Sequence, residues 1–115
     1  MKNTTPSNNL SLQEEYAPKG ICFGCGCLNK KGLQIKSYVK ADFVDASWTP
    51  SSHHEAFPGV LNGGIIGSVL DCHSNWAAAY YIMQDQNLTS TPCTVTAEYN
   101  VKLQRPTPTD TSLHI

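Results

Sequence analysis

A lone carboxylate, Asp71, stands eight residues after Gly63, the first of a Gly-Gly pair, in the run Phe57-Pro-Gly-Val-Leu-Asn-Gly-Gly-Ile-Ile-Gly-Ser-Val-Leu-Asp71. Read physically, a loop ends in two glycines that open a helix, and the carboxylate lies further along it. First-turn amides of a helix lack internal partners and carry the positive end of its dipole. A carbonyl held there would be polarised, and oxyanion charge developing on it would be stabilised. Eight residues rise about 12 Å, so the carbonyl and the carboxylate meet only through intervening substrate and water or a second subunit's surface. Ser68, Asp71, Ser74 and Asn75 recur at helical spacing and form a polar strip on an otherwise apolar rod. The same pattern also suits a solvent-facing Asp after a plain loop-to-helix joint.

Other residues invite chemistry less strongly. Cys22-x-x-Cys25-x-Cys27 suggests zinc, but a structural site wants four ligands, and Cys72 and Cys93 fall on a helix and a strand without pair spacing. A tight Gly-rich loop with buried thiols is the favoured reading, and no metal is expected. His53-His54-Glu55 reads as a solvated turn. His73 lies about 200° around the helix from Asp71, so the two form no dyad on one chain; it reads as a satisfied core or interface histidine. Cys72 has no evident base and no charged neighbour favouring a thiolate, which argues against a nucleophile. Lys102 and Arg105 suit either ligand phosphates or plain surface charge.

The elements that must position these groups follow from periodicity. Residues 1–20 form a polar lead-in, expected to be mobile or loosely packed. A Cys- and Gly-rich loop covers residues 21–32. Leu33, Ile35 and Val39 alternate with Gln34, Lys36 and Lys40, and Val44, Ala46 and Trp48 form a second alternating set, with a hairpin turn at Ala41-Asp42. Residues 50–61 read as loop. Residues 62–83 predict one long helix on which Ile66, Val69, Leu70, His73, Ala77 and Tyr80 share a face widened by Trp76 and Tyr81. Residues 93–103 predict the clearest strand, with Val95, Ala97, Tyr99, Val101 and Leu103 on one face. Residues 111–115 predict the start of another. The order strand, strand, helix, strand, strand gives an α+β class in which an antiparallel sheet covers the helix.

At 115 residues the chain holds one domain, residues 21–115, after the lead-in. A net charge of −1 without a basic cluster argues against nucleic acid and membrane partners. Polar residues interrupt the longest apolar stretch, so it predicts no membrane span. Five cysteines, an odd number, fit free thiols in the cytoplasm better than a disulfide framework.

Taken together, Cys22-Phe-Gly-Cys-Gly, Asn29-Lys-Lys-Gly-Leu, Trp48-Thr-Pro-Ser, Phe57-Pro-Gly-Val-Leu-Asn-Gly-Gly-Ile-Ile, Ala97-Glu-Tyr-Asn-Val and Arg105-Pro resemble, in order, the hotdog-fold acyl-CoA thioesterases of the PaaI-like group. The resemblance runs from about residue 21 to 115. It implies a hotdog fold, with an antiparallel sheet wrapped around the long helix, and a homodimer or homotetramer with active sites between subunits. It also implies that the Gly63 or Gly64 amide polarises a thioester carbonyl, that Asp71 acts as base or nucleophile, and that Asn75 helps hold water. Asn62, Ser68, Ser74 and Arg105 would complete the acyl-CoA site, and no cofactor is implied.

The sequence departs from the pattern twice. The family usually has His-Gly-Gly where this chain has Asn62-Gly-Gly, and an Asn amide donates a hydrogen bond but cannot titrate. Family members also continue with further strands beyond the point matching Ile115, without which one side of the helix and a sheet edge lie open. The natural product is short, another subunit supplies the cover, or the sequence continues. The leading expectation is an acyl-CoA thioesterase. The alternatives are a non-catalytic or degraded hotdog protein that binds acyl-CoA or a partner, and a small zinc module.

Overall fold

The long helix organises everything else. The computed structural model describes residues 9–115, and within them helix α2 spans Gly63–Asp85, 23 residues or roughly 34 Å of rise. Asn62 caps it: its side-chain oxygen accepts from the Ile65 amide at 3.2 Å, satisfying one of the orphan donors of the first turn. Val69, His73 and Tyr80 from the expected face are buried, joined by Gly67, Ala79, Met83 and Gln84. Tyr81 is exposed.

Two apolar clusters lie along this helix. Near its N-terminal half, Val69 packs with Leu33, Ile35, Ala46, Trp48 and Leu61. Near its C-terminal half, Tyr80 and Met83 pack with Leu12, flanked by Tyr16, Val39, Val44 and Trp76. Burying such side chains contributes roughly 1.5–3 kcal/mol each, so these clusters pin the helix to the strands.

The strands are short and paired antiparallel. β1 (Tyr38–Val39) pairs with β2 (Val44–Asp45) in the register Tyr38↔Asp45 and Val39↔Val44, and Lys40 N donates to Phe43 O at 2.8 Å, closing the hairpin expected at Ala41-Asp42. The chain then changes partners. Ala46 exchanges backbone hydrogen bonds with Ile115, and β3 (Ser47–Trp48) pairs with β6 (Leu113–His114), as the strand expected near the C-terminus requires. The alternation of 44, 46 and 48 survives in the burial of Ala46 and Trp48. The first alternating set is only partly a strand. Leu33, Ile35 and Ser37 all point inward, but Gln34 has φ +55°, a left-handed conformation that breaks a regular ladder.

Three expectations are revised. Residues 50–61 contain more than loop: after a 3-10 turn, Ser52–His54, β4 (Glu55–Phe57) and β5 (Val60–Leu61) form a hairpin. Its turn is Pro58-Gly59, with Gly59 at φ +81°, the region glycine enters at least cost. Residues 11–16 are not loose. α1 (Leu12–Tyr16) starts with a capping box in which Ser11 and Glu14 satisfy each other's backbone amides, and Leu12 is fully buried. The Ser11-Leu-Gln-Glu14 spelling carries that signal.

The third revision concerns residues 93–103, which belong to none of the strand pairs among the described residues. Side chains hold this segment along α2 instead. Thr94 engages Asn75, Thr96 engages Asp71, Tyr99 lies against Gly67 and Leu103 against Gly63. The helix positions step back by four residues each time, so the segment runs antiparallel to the helix along one side. Hydroxyls face the helix where it is polar, and large apolar groups face it where glycines leave room. That choice overrides strict alternation and leaves Val95 85% exposed.

α1, α2 and the small antiparallel sheets make an α+β domain. Among the described residues, no helix is long and apolar enough to cross a membrane.

Candidate functional site

Asp71 lies on the wall of a cavity of about 570 Å³, within the roughly 300–1,000 Å³ usual for small-ligand sites. The walls come from α1, the 20–26 loop, α2 and residues 91–96. Asp71 Oδ1 accepts a hydrogen bond from Thr96 Oγ1 at 2.6 Å, which fixes the carboxylate and leaves its other oxygen for a water or substrate proton. Asn75, one turn on, accepts from Thr94 Oγ1 at 2.9 Å and donates to the Thr94 carbonyl at 3.2 Å. Its main work is therefore to clasp the 91–96 segment, with one amide hydrogen left for a water.

The groups expected at the carbonyl end lie elsewhere. Gly63 and Arg105 line a separate cleft with Leu103 and Phe57, and Asn62, with its oxygen committed to the helix cap, keeps only amide hydrogens to offer. Gly64 adjoins the Asn62 side-chain oxygen. One chain therefore holds Asp71 and Asn75 in one cavity and Gly63 and Arg105 in another, as the rise between positions 63 and 71 anticipates. Ser68 Oγ donates to the Gly64 carbonyl at 3.1 Å, a bond within its own helix, and Ser74 is exposed; neither lines the Asp71 cavity.

The structure adds residues that spacing did not reveal. Cys22 and Cys25 of the loop and Cys72 of the helix line the same cavity as Asp71, with Cys22 and Cys72 sulfurs 3.8 Å apart. Gly24 makes this approach possible, because a Cβ there would overlap the Cys72 sulfur. Hydrogen bonding from Cys72 brings the Cys25 thiol down to about 6, against the opposing effect of burial and with help from Trp76 and Cys22. The Cys72 thiol is pushed up by the same pairing and by burial. Only the Cys-Phe-Gly-Cys-Gly spelling hints at this, and nothing in it names the helix partner.

His73 and His54 are held by hydrogen bonds that fasten the fold. His73 is 7% exposed; its Nε2 sits 3.1 Å from the Val44 carbonyl and its Nδ1 2.9 Å from Ser37 Oγ. A carbonyl only accepts, so Nε2 carries the proton and Nδ1 accepts from Ser37. Ser37 Oγ in turn accepts from Gln13 Nε2 at 3.1 Å. The chain of bonds ties α1, β2 and α2 together, and burial lowers the His73 pKa. His54 Nδ1 accepts from the Ser51 amide at 2.9 Å, while Glu55 accepts from the Gly59 amide and from Thr109 Oγ1 at 2.8 and 2.6 Å. The His53-His54-Glu55 run is accordingly a hairpin fastening, in keeping with a turn.

Comparison with protein-family models, with curated proteins and with solved structures finds no match to this chain.

Proposed function

We propose that the protein is an acyl thioester hydrolase of the hotdog type, in which Asp71 activates water or attacks the carbonyl. The observation that carries this reading is the Asp71 carboxylate, oriented by Thr96 and facing a cavity of about 570 Å³. Within such a site a fixed carboxylate needs no reorganisation to accept a proton or form an acyl-enzyme. The carbonyl is polarised by the α2 N-terminus of a second copy, because that end of the same chain opens into another cleft. The active form is therefore a homodimer or a homotetramer. Exposed Val95, Tyr99, Leu103 and Phe57 supply apolar surface for that contact. Five free cysteines suit a cytoplasmic setting, acyl-CoA is the substrate class, and no cofactor enters the step.

Release of free CoA thiol from short, long and aromatic acyl-CoAs tests the proposal, alongside light scattering for oligomeric state. Turnover that disappears in Asp71→Asn, with fold and oligomer intact, supports it. Turnover that survives this change overturns the mechanism.

A second reading has its own observation. Asn62 occupies the position where the resembled family places a histidine, and its side-chain oxygen is engaged in the helix cap. A protein that binds acyl-CoA or a partner without hydrolysis would look the same. Absence of turnover by folded, oligomeric wild type, with a large gain in Asn62→His, favours a degraded site.

A further inference from the structure

Three sulfurs from two distant stretches of sequence meet beside the cavity. Cys22, Cys25 and Cys72 hold their Sγ atoms within 4.8 Å of one another, and the Cys22 and Cys72 sulfurs are 3.8 Å apart. The loop that carries two of them is well anchored. Gly26 N donates to Cys22 O at 2.8 Å, Leu33 N to Phe23 O at 2.8 Å and Ile35 N to Gly24 O at 3.0 Å. Gly24 lies flat against the helix at Cys72, where any side chain would strike the sulfur. The arrangement is thus built by the backbone of the loop rather than by chance rotamers.

Tetrahedral zinc with Zn–S bonds of about 2.3 Å places its sulfurs roughly 3.8 Å apart. One edge of the cluster already has this length, and the others close by at most about 1 Å. A disulfide would need a sulfur separation of about 2.05 Å and would engage only two of the three. Soft thiolates select zinc over hard oxygen-seeking cations. Trp76 lines the cavity together with the three cysteines, so an apolar wall flanks the cluster.

We propose that Cys22, Cys25 and Cys72 form a three-thiolate zinc site that clips the 20–26 loop to α2, with its fourth coordination position open to the cavity. Zinc enters as the divalent ion and the thiols lose their protons to solvent, with no change in oxidation state. Cys27 and Cys93 lie outside the cluster, so the ligand set is specific. The proposal stands whether or not the protein hydrolyses thioesters.

The test uses the full chain, purified under reducing conditions, stripped with a chelator and titrated with cobalt(II) and then zinc(II). The expected result is one cobalt per chain with thiolate charge-transfer and tetrahedral d–d bands, both abolished by equimolar zinc. Cys72→Ser weakens zinc binding by more than about 100-fold, since even outer-sphere partners typically cost 10–100-fold. Cys22→Ser, at an exposed loop position, gives the same loss in a protein whose circular dichroism is unchanged. Cys27→Ser and Cys93→Ser leave affinity within about threefold, far below the loss of a ligand. The proposal is overturned if the reduced, folded chain takes up no metal, if the bands survive in Cys72→Ser, or if Cys93→Ser abolishes them.

Discussion

Thr96 donates its hydroxyl hydrogen to Asp71 across the gap between the 91–96 segment and α2, at 2.6 Å. This bond joins the helix carboxylate that lines the cavity to the segment that walls it. A hydrogen bond to a charged group contributes roughly 1.5–3 kcal/mol.

Thr96→Val should therefore lower thioester hydrolysis by about tenfold or more, while Thr96→Ser retains most of it. Steady-state release of CoA thiol checks this, with thermal melts to establish that both variants fold. Equal rates for Val and wild type would show that the bond plays no part in turnover.

Gly24→Ala should destabilise the protein by about 1–3 kcal/mol, because the added methyl drives the loop off the Cys72 sulfur. In Gly24→Ala/Cys72→Ala the sulfur is gone and part of the loss should return. Urea unfolding of the two variants measures the recovery. A single variant as stable as wild type would mean that the loop rests less closely on the helix.

Stability should fall as the solution is acidified through the range below about pH 6.5. Burial holds His73 below the ordinary histidine value, partly offset by its bond to Val44 and by Asp45, while His114 adds to the lowering. The unfolded chain takes up a proton there that the folded chain refuses, so this contribution is full above the unfolded pKa and is lost as pH falls toward the lower folded one. His73→Gln should flatten this slope at some cost in stability at neutral pH. Urea midpoints across the range report the difference, and parallel slopes would remove His73 as the cause.

Asn62→Ala should cost about 0.5–2 kcal/mol through loss of the α2 cap, and Asn62→Asp should retain it. Both effects are read from denaturant midpoints. They also calibrate Asn62→His, in which any change in activity must be separated from loss of the cap.

Local signals were legible in the residues themselves. The α2 helix and its Asn62-Gly-Gly opening, the 38–45 hairpin, the inward set Ala46 and Trp48, the β6 strand and the core character of His73 all follow from spacing and propensity. The capping box at Ser11 and the Pro58-Gly59 turn are equally local, but polar, Pro- and Asn-containing surroundings mask them. Residues 93–103 misled because alternation records which side chains are apolar, not what they will meet. Here the neighbour is a helix flank that is polar at Asp71 and Asn75 and bare at Gly63 and Gly67.

The amino-acid order by itself determined one long helix, short antiparallel strands and a carboxylate eight residues beyond the helix start, because each depends on neighbours within a few positions. Only the tertiary structure decided that Thr96 reaches Asp71, that the glycine end of α2 opens away from it, and that Cys72 joins Cys22 and Cys25. These are meetings between residues 25 to 50 positions apart. They are set by how the loop and the 91–96 segment pack on the helix, a property that no periodicity along the chain encodes.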